Sequence, residues 1–307
     1  MATTTSVTTT YAGEFAGKYI GAALLSANTI AQEGITVKQN VKYKEVVKKM
    51  ALGDLTADAS CDFTPISSVT LTERVLEPKR LQVNLQLCKE DFVNDWEAMQ
   101  MGFGLSEQLP PKFSDFIISR VAAKVAAATE VDIWRGTTAS GHFEGFVPLM
   151  TADADVIDVT GATVTSANVV AELGKIVDAI PSSLYGKEDL YIYVSQNIAR
   201  AYIRALGGFG ANGLGAQGVD NLGTMWFNGQ PLAIDGVKIF VANGLADNTA
   251  VAAEKENLWF GTGLLNDHNE VRLLDMADLD GSQNVRVIMR YSAGVQYGIG
   301  GDIVLYS

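Results

Sequence analysis

Gly208, Gly210 and Gly213 lie within "GGFGANGLGAQG" (207–218) at the G-x-G-x-x-G spacing that allows a backbone to close on a pyrophosphate. That chemistry needs a strand entering the glycine turn and a helix N-terminus leaving it, so that N–H dipoles meet the phosphates. Here a helical stretch, "QNIARAYIRAL", precedes the glycines, and "VDNLGTMWFNGQPLAI" after them has turn and strand character. Both halves of the required context are missing. The run reads as a surface loop, because glycine-dense chain loses too much entropy on ordering.

The other chemistry-bearing residues are few. Ser195 stands where a strand becomes a helix, the place a serine hydrolase uses, but its surroundings, "YVSQN", lack the G-x-S-x-G turn. It reads as a helix N-cap. The two histidines, His142 and His268, sit in loop-like segments with no metal-ligand spacing, and nothing in the sequence favours a Ser/His/Asp arrangement. Asp275, Asp278 and Asp280 before Gly281 suggest a calcium loop. An EF-hand register, however, puts its first ligand at Met276 and its bidentate glutamate at Val287, so "DLDGSQN" reads as a hairpin turn. Cys61 and Cys88 have no C-x-x-C spacing. No catalytic, cofactor or metal site is predicted, and the chain is expected not to be an enzyme.

Charge narrows the function classes further. The chain carries 23 basic and 35 acidic residues, a net charge of -12 over 307 residues, which disfavours general adhesion to nucleic acid or an anionic membrane. The excess is uneven: residues 1–112 hold 11 basic and 13 acidic side chains (-2), and residues 113–307 hold 12 and 22 (-10). The N-terminal "MATTTSVTTTYAG" has no basic region followed by an apolar one, and no run approaches a membrane span. The expectation is a protein cytosolic where it is made, with no membrane partner.

The elements follow from periodicity. Residues 1–10 are threonine-rich and read as an arm ordered only against something else. Residues 11–32 have helical spacing, and "ITVKQNVKYKEVVKKMALGDL" reads as an exposed strand bearing lysines. In "VTLTERVLEPKRLQVNLQLC", Leu81, Val83, Leu85 and Leu87 alternate with polar residues as in a half-buried strand, and Pro78 marks a bend or an edge. The two segments are expected to form a long hairpin around the loop 54–68, part of which protrudes and needs another chain for stability. A short helical stretch over 90–101 follows.

The strongest helix is predicted over 114–136, with Ser114 as N-cap and Gly136 as stop. Ile117, Val121, Val125 and Ala128 form its apolar stripe, Ile118 and Ala122 widen it, and Arg120, Lys124 and Glu130 point away. A strand at "DVIDVTG", a helix over 166–180 stopped by Pro181 and a buried strand at "DLYIYVS" come next. The remainder is rich in strands with no regular β-α-β alternation, which indicates an α+β class. The basic strand in a chain otherwise acidic suggests contact between copies. Lys42, Lys44, Lys48 and Lys49, with Arg74, Lys79 and Arg80 on the second strand, are the candidate intersubunit contacts.

Taken in this order, the elements resemble the major capsid proteins of tailed double-stranded DNA phages, which share the Hong Kong phage-type fold. The resemblance covers nearly the whole chain and rests on order and spacing: the hairpin at 36–90, "SDFIISRVAAKVAAATEVDIWRG", "GHFEGFVPL", "DLYIYVSQNIARAYIRAL", and the ending from "NLWFGTG" to "DIVLY". It implies an N-terminal arm over 1–35, an E-loop hairpin with P-domain strands over 36–90, a P domain over 91–144 containing the spine helix 114–136, an A domain over 145–269 and a return into the P domain over 270–307. It further implies a homo-oligomer of pentamers and hexamers that closes an icosahedral virion capsid, assembled in the host cytoplasm. The shell encloses DNA without sequence-specific binding. With about 35 residues before the hairpin, a separate scaffolding protein is implied, as is a portal. Two other readings compete: an encapsulin-like compartment shell, and a nucleotide-binding cytosolic enzyme that uses the glycine run.

Overall fold

A computed structural model describes residues 28–41, 43–52, 56, 69–88, 111–206, 232–263, 271–277 and 281–307. The arm 1–10, the helical stretch 90–101, the glycine run 207–218 and His268 lie outside the described residues. The described chain begins with a short helix, α1 (Asn28–Ala31), followed by strand β1 (Thr36–Lys38). Strands β2 (Glu45–Leu52) and β3 (Val69–Leu76) pair antiparallel from Glu45 opposite Leu76 to Leu52 opposite Val69. This is the expected hairpin. At Glu77–Pro78 the ladder breaks, as a residue without an N–H requires, and β4 (Lys79–Cys88) pairs elsewhere.

The new partner of β4 is β12 (Asn284–Tyr297), a strand of 14 residues. The opposite edge of β12 carries β11 (Val271–Asp275), and its last residues pair with β10 (Leu258–Thr262), which pairs with β1 in parallel. Helix α2 (Pro111–Arg135) lies on β11 and β12. It starts earlier than expected, because Pro111 fits the first helical position, where its missing N–H costs nothing. Ser114 is therefore inside the helix. Gly136 ends it as predicted, with its N–H donating to Asp132 O at 3.0 Å. Since α2 covers mainly β11 and β12, the alternation on β4 is only partly buried: Leu81 is buried, while Leu85 stays exposed.

The second sheet has six strands in the order β5-β13-β9-β6-β8-β7. They are β5 (Ile157–Val159), β6 (Leu190–Val194), β7 (Ala233–Ile234), β8 (Val237–Val241), β9 (Ala250–Glu254) and β13 (Val304–Tyr306). A short helix, α3 (Phe146–Thr151), stands where the sequence gives "FVPLMT". Helices α4 (Val169–Ala179) and α5 (Gln196–Leu206) cover one face of the sheet. On that side Leu173, Ile176, Ile198 and Tyr202 meet Ile192, Val194 and Ala252. On the other side Tyr193, Val251 and Leu305 join Trp134 of α2, Phe146 of α3 and Phe260 of β10. Strand β6 is buried on both faces, which is why its sequence is continuously apolar. The ending divides: β11 and β12 belong to the first sheet, whereas β13 belongs to the second.

Helix α2 corrects the expected stripe. Val125 is buried, but Ala128 is exposed, and Glu130, expected to face solvent, is 1% exposed. The core face runs through Val125, Thr129, Asp132 and Ile133, so polar residues occupy helix-periodic core positions. Glu130 is buried because α1 docks on it. Thr29 donates both its N–H, at 3.0 Å, and its hydroxyl to the Glu130 carboxylate, and the Trp134 indole donates to Thr29 Oγ1 at 2.9 Å. Burial pushes the Glu130 carboxyl above the ordinary range, and the donors from Thr29 and Gly244 hold it back.

Gly244 lies so close to α2 that a Cβ there would stand 2.0 Å from Glu130 O and 2.8 Å from Trp134 Cδ1. Gly174 in α4 has open space instead. Gly244→Ala should lower stability by about 1–3 kcal/mol, as overpacking does, while Gly174→Ala should raise it by about 0.5–1 kcal/mol through helix propensity. Thermal unfolding of the two variants beside the wild type checks both signs.

Candidate assembly interface

Four contacts fix the ribbon β2–β3 to the body at its root. Leu76 is fully buried and seats on Gly261 of β10, where a Cβ would stand 2.9 Å from Leu76 Cδ2. Gly294 of β12 does the same under the bend, with Pro78 Cα 2.9 Å from where its Cβ would be. Gly261 leaves room for the Leu76 side chain, and Gly294 for the backbone of Glu77–Pro78. Gln296 Nε2 donates to Val75 O at 3.2 Å. Arg74, on the same side of β3 as Leu76, reaches the Asp153 carboxylate and stacks 4.4 Å above the Tyr297 ring.

Asp153 collects donors from three elements. Tyr297 Oη donates to its Oδ2 at 2.7 Å, the Asp155 N–H donates to its Oδ1 at 3.1 Å, and Arg74 adds its guanidinium. Burial alone would raise the Asp153 carboxyl. The bonds from Tyr297, Asp155 and Arg74 outweigh it and hold the group below the ordinary carboxylate range. Burial and the adjacent carboxylate push the Tyr297 phenol up, so it stays a donor. The charge of Arg74 is thus used to fix the angle at which the ribbon leaves the body.

On the face turned away from Arg74 and Leu76, the base of the ribbon leaves apolar groups exposed. Val46 and Val75 are register partners and so share a face, with 46% and 37% of their surfaces exposed, and Tyr43 is 74% exposed. Lys48 stands opposite Glu73 and Lys49 opposite Thr72 in the register. Lys44 pairs with Glu77 at 2.8 Å, which raises its pKa through that hydrogen bond. Lys38 pairs with Glu45 at 2.8 Å and lies 4.6 Å above the Trp259 ring.

Of the seven basic residues singled out in the sequence, Lys44 and Arg74 have carboxylate partners within the chain. Lys79 donates to the carbonyls of Ala139 and His142 at 2.9 and 2.7 Å, Arg80 is exposed beside a groove, and Lys42 lies outside the described residues. Asp153, Tyr297 and Glu130 escaped sequence reasoning. The signal for Tyr297 was an aromatic ending a long strand; nothing local marks the two acids. His142, read as a loop histidine, is half exposed and pairs with the buried Asp132 at 2.8 Å. Ser195 holds the N-cap position, but its hydroxyl donates to Asn197 Oδ1 at 2.6 Å. Among the described residues no group of three His, Cys, Asp or Glu side chains is placed to hold a metal.

This architecture has close counterparts among solved structures. No family model matches the chain, and no curated protein sequence matches it. The capsid of the native GTA particle superposes over 94% of this chain and 93% of its own, with a TM-score of 0.60 at 13% identity. The Gordonia phage Cozz structure gives 0.60 at 12% identity, over 94% and 89% of the two chains. The capsid of cyanophage P-SCSP1u gives 0.56 at 14% identity, over 96% and 91%. The chain has the fold of phage major capsid proteins, an α+β fold with two sheets and an extended ribbon.

The depressed carboxyl of Asp153 gives the root a pH signature. A lowered folded-state pKa contributes stability that is present above the unfolded value, about 3.9, and is lost as pH falls through the folded one. Asp153→Asn should therefore cost about 1–2 kcal/mol at neutral pH, with the gap to wild type closing below about pH 4. Urea unfolding at several pH values measures this, and a gap unchanged at pH 3 would contradict it.

Proposed function

We propose that this chain is the major capsid protein of a tailed phage, a structural subunit that assembles as pentamers and hexamers into an icosahedral head enclosing double-stranded DNA. The observation that carries this reading is the superposition on capsid subunits over more than nine-tenths of this chain. In this reading the ribbon is the E-loop, lying over a neighbouring copy that covers Val46 and Val75. Helix α2 is the spine of the P domain, and the six-stranded sheet with α4 and α5 forms the A domain at the capsomer centre. Residues 1–35 are the arm, rooted by Thr29 on Glu130. Its role is mechanical and not catalytic.

In this reading Lys42, Lys48, Lys49 and Arg80 meet carboxylates of other copies, while Lys44, Arg74 and Lys79 first serve their own chain. A separate scaffolding protein and a portal complete assembly in the host cytoplasm. The net charge of -12 lets the shell enclose DNA without sequence-specific binding.

Light scattering and electron microscopy of the purified protein, alone and with a co-expressed scaffolding protein, test the reading. Closed shells or rings of five or six subunits are expected, and a stable monomer or dimer in both preparations would overturn it. The double variant Val46→Lys with Val75→Glu, which sets opposite charges across the pair, should change stability by no more than about 0.5 kcal/mol per site, as exposed substitutions do, yet assemble poorly.

A further inference from the structure

The pairing of β4 with β12 sets Arg80 opposite Ser292, Gln82 opposite Arg290 and Gln86 opposite Arg286. Opposed residues share one face of a sheet, so the three arginines lie on a single face. The eight residues that the two strands present there, from Arg80 to Gln86 and from Arg286 to Ser292, include no carboxylate. Arg286 donates Nε–H to Gln86 Oε1 at 3.2 Å. Arg80 and Arg290 are exposed, and neither has a carboxylate partner among the described residues. They occupy diagonal positions, where like charges at about 7–8 Å are unfavourable unless an anion lies between them.

The anion has a place to lie. A groove of about 670 Å³ opens on this face, lined by Asn40, Pro78, Arg80, Gln82, Arg290 and Ser292. The polar side chains that line it include two guanidiniums, two amides and the Ser292 hydroxyl, which already accepts the Gly263 N–H at 2.9 Å. Paired guanidiniums with amides beside them match carboxylates, which arginine binds through two parallel hydrogen bonds. The concave shape and the Pro78 and Val41 walls suit an extended peptide better than a duplex. Each further copy supplies carboxylates from residues 113–307, where 22 acidic residues stand against 12 basic ones.

We propose that the Arg80–Arg290 groove is a docking site for an acidic segment of a second copy of this chain. The inference rests on the shell reading and gives it a specific contact at the root of the ribbon. Because Pro78 and Arg80 belong to that root, the docked segment also sets the ribbon against its own body.

Two variants test it on the full chain beside wild type that forms shells. Arg80→Glu with Arg290→Glu should keep the wild-type melting temperature and reduce shell yield at least about tenfold, the effect of about 1.4 kcal/mol per contact. Arg290→Lys should still assemble. In shells made from mixed isotope-labelled and unlabelled Arg290→Lys protein, a zero-length carbodiimide should join position 290 to an Asp or Glu within 113–307 of a different copy, read by mass spectrometry. Normal shell yield from the double glutamate variant overturns the proposal, as do cross-links found only within one copy. Normal shells with reduced DNA content overturn it in favour of nucleic acid as the occupant. Wild type that forms no shells overturns the shell reading itself, and this contact with it.

Discussion

A two-stranded ribbon pairs only one edge of each strand, and the N–H and C=O groups on its outer edges must find water or another chain. The structure depends on that constraint. Strands β2 and β3 pair over eight residues each, and the contacts described between them and the body include those of Arg74, Val75 and Leu76 at the root. There Leu76 is buried, Gly261 and Gly294 clear its path, and the Arg74–Asp153–Tyr297 cluster fixes the direction of departure. The body holds the ribbon by its root and leaves the Val46–Val75 face for something outside.

A lever of this kind needs a rigid support, and β12 supplies it. Its residues pair with β4, β11 and β10 in turn, so one strand carries the bend, the cover of α2 and the link to β1. Helix α2 joins the two sheets through Trp134, whose ring lies 5.5 Å from Phe146 and 5.2 Å from Tyr193. The docking of α1 on Glu130 ties the entering chain to the same helix. Ribbon root and arm root are thus both fixed to one core. In the proposed shell, strain at one intersubunit contact would be felt at the other through side chains already packed in contact.

Much of this was legible in the sequence. The hairpin, its break at Pro78, the long helix ending at Gly136 and the doubly buried β6 all follow from local periodicity and from residues that lack an N–H or a Cβ. The failed context of the glycine run was also readable, since α5 does precede it. What escaped were residues whose role is set far along the chain. Glu130 follows the rule that charged helix positions face water until Thr29, 101 residues earlier, is placed against it. Leu85 fits the alternation of a buried face, yet α2 lies over β11 and β12. By sequence alone Arg290 is one more polar position on a strand. Only the register with β4 sets it beside Arg80 with no acid between them.

The central claim is that the ribbon beyond its root gains its stability from a second copy. Hydrogen exchange, read by mass spectrometry on dissociated subunits and on assembled particles, tests it most directly. The account predicts that amides of 45–52 and 69–73 exchange quickly in the free subunit and become strongly protected in the particle, while those of β12 are protected in both. Equal protection of the ribbon in the free subunit and in the particle would contradict it.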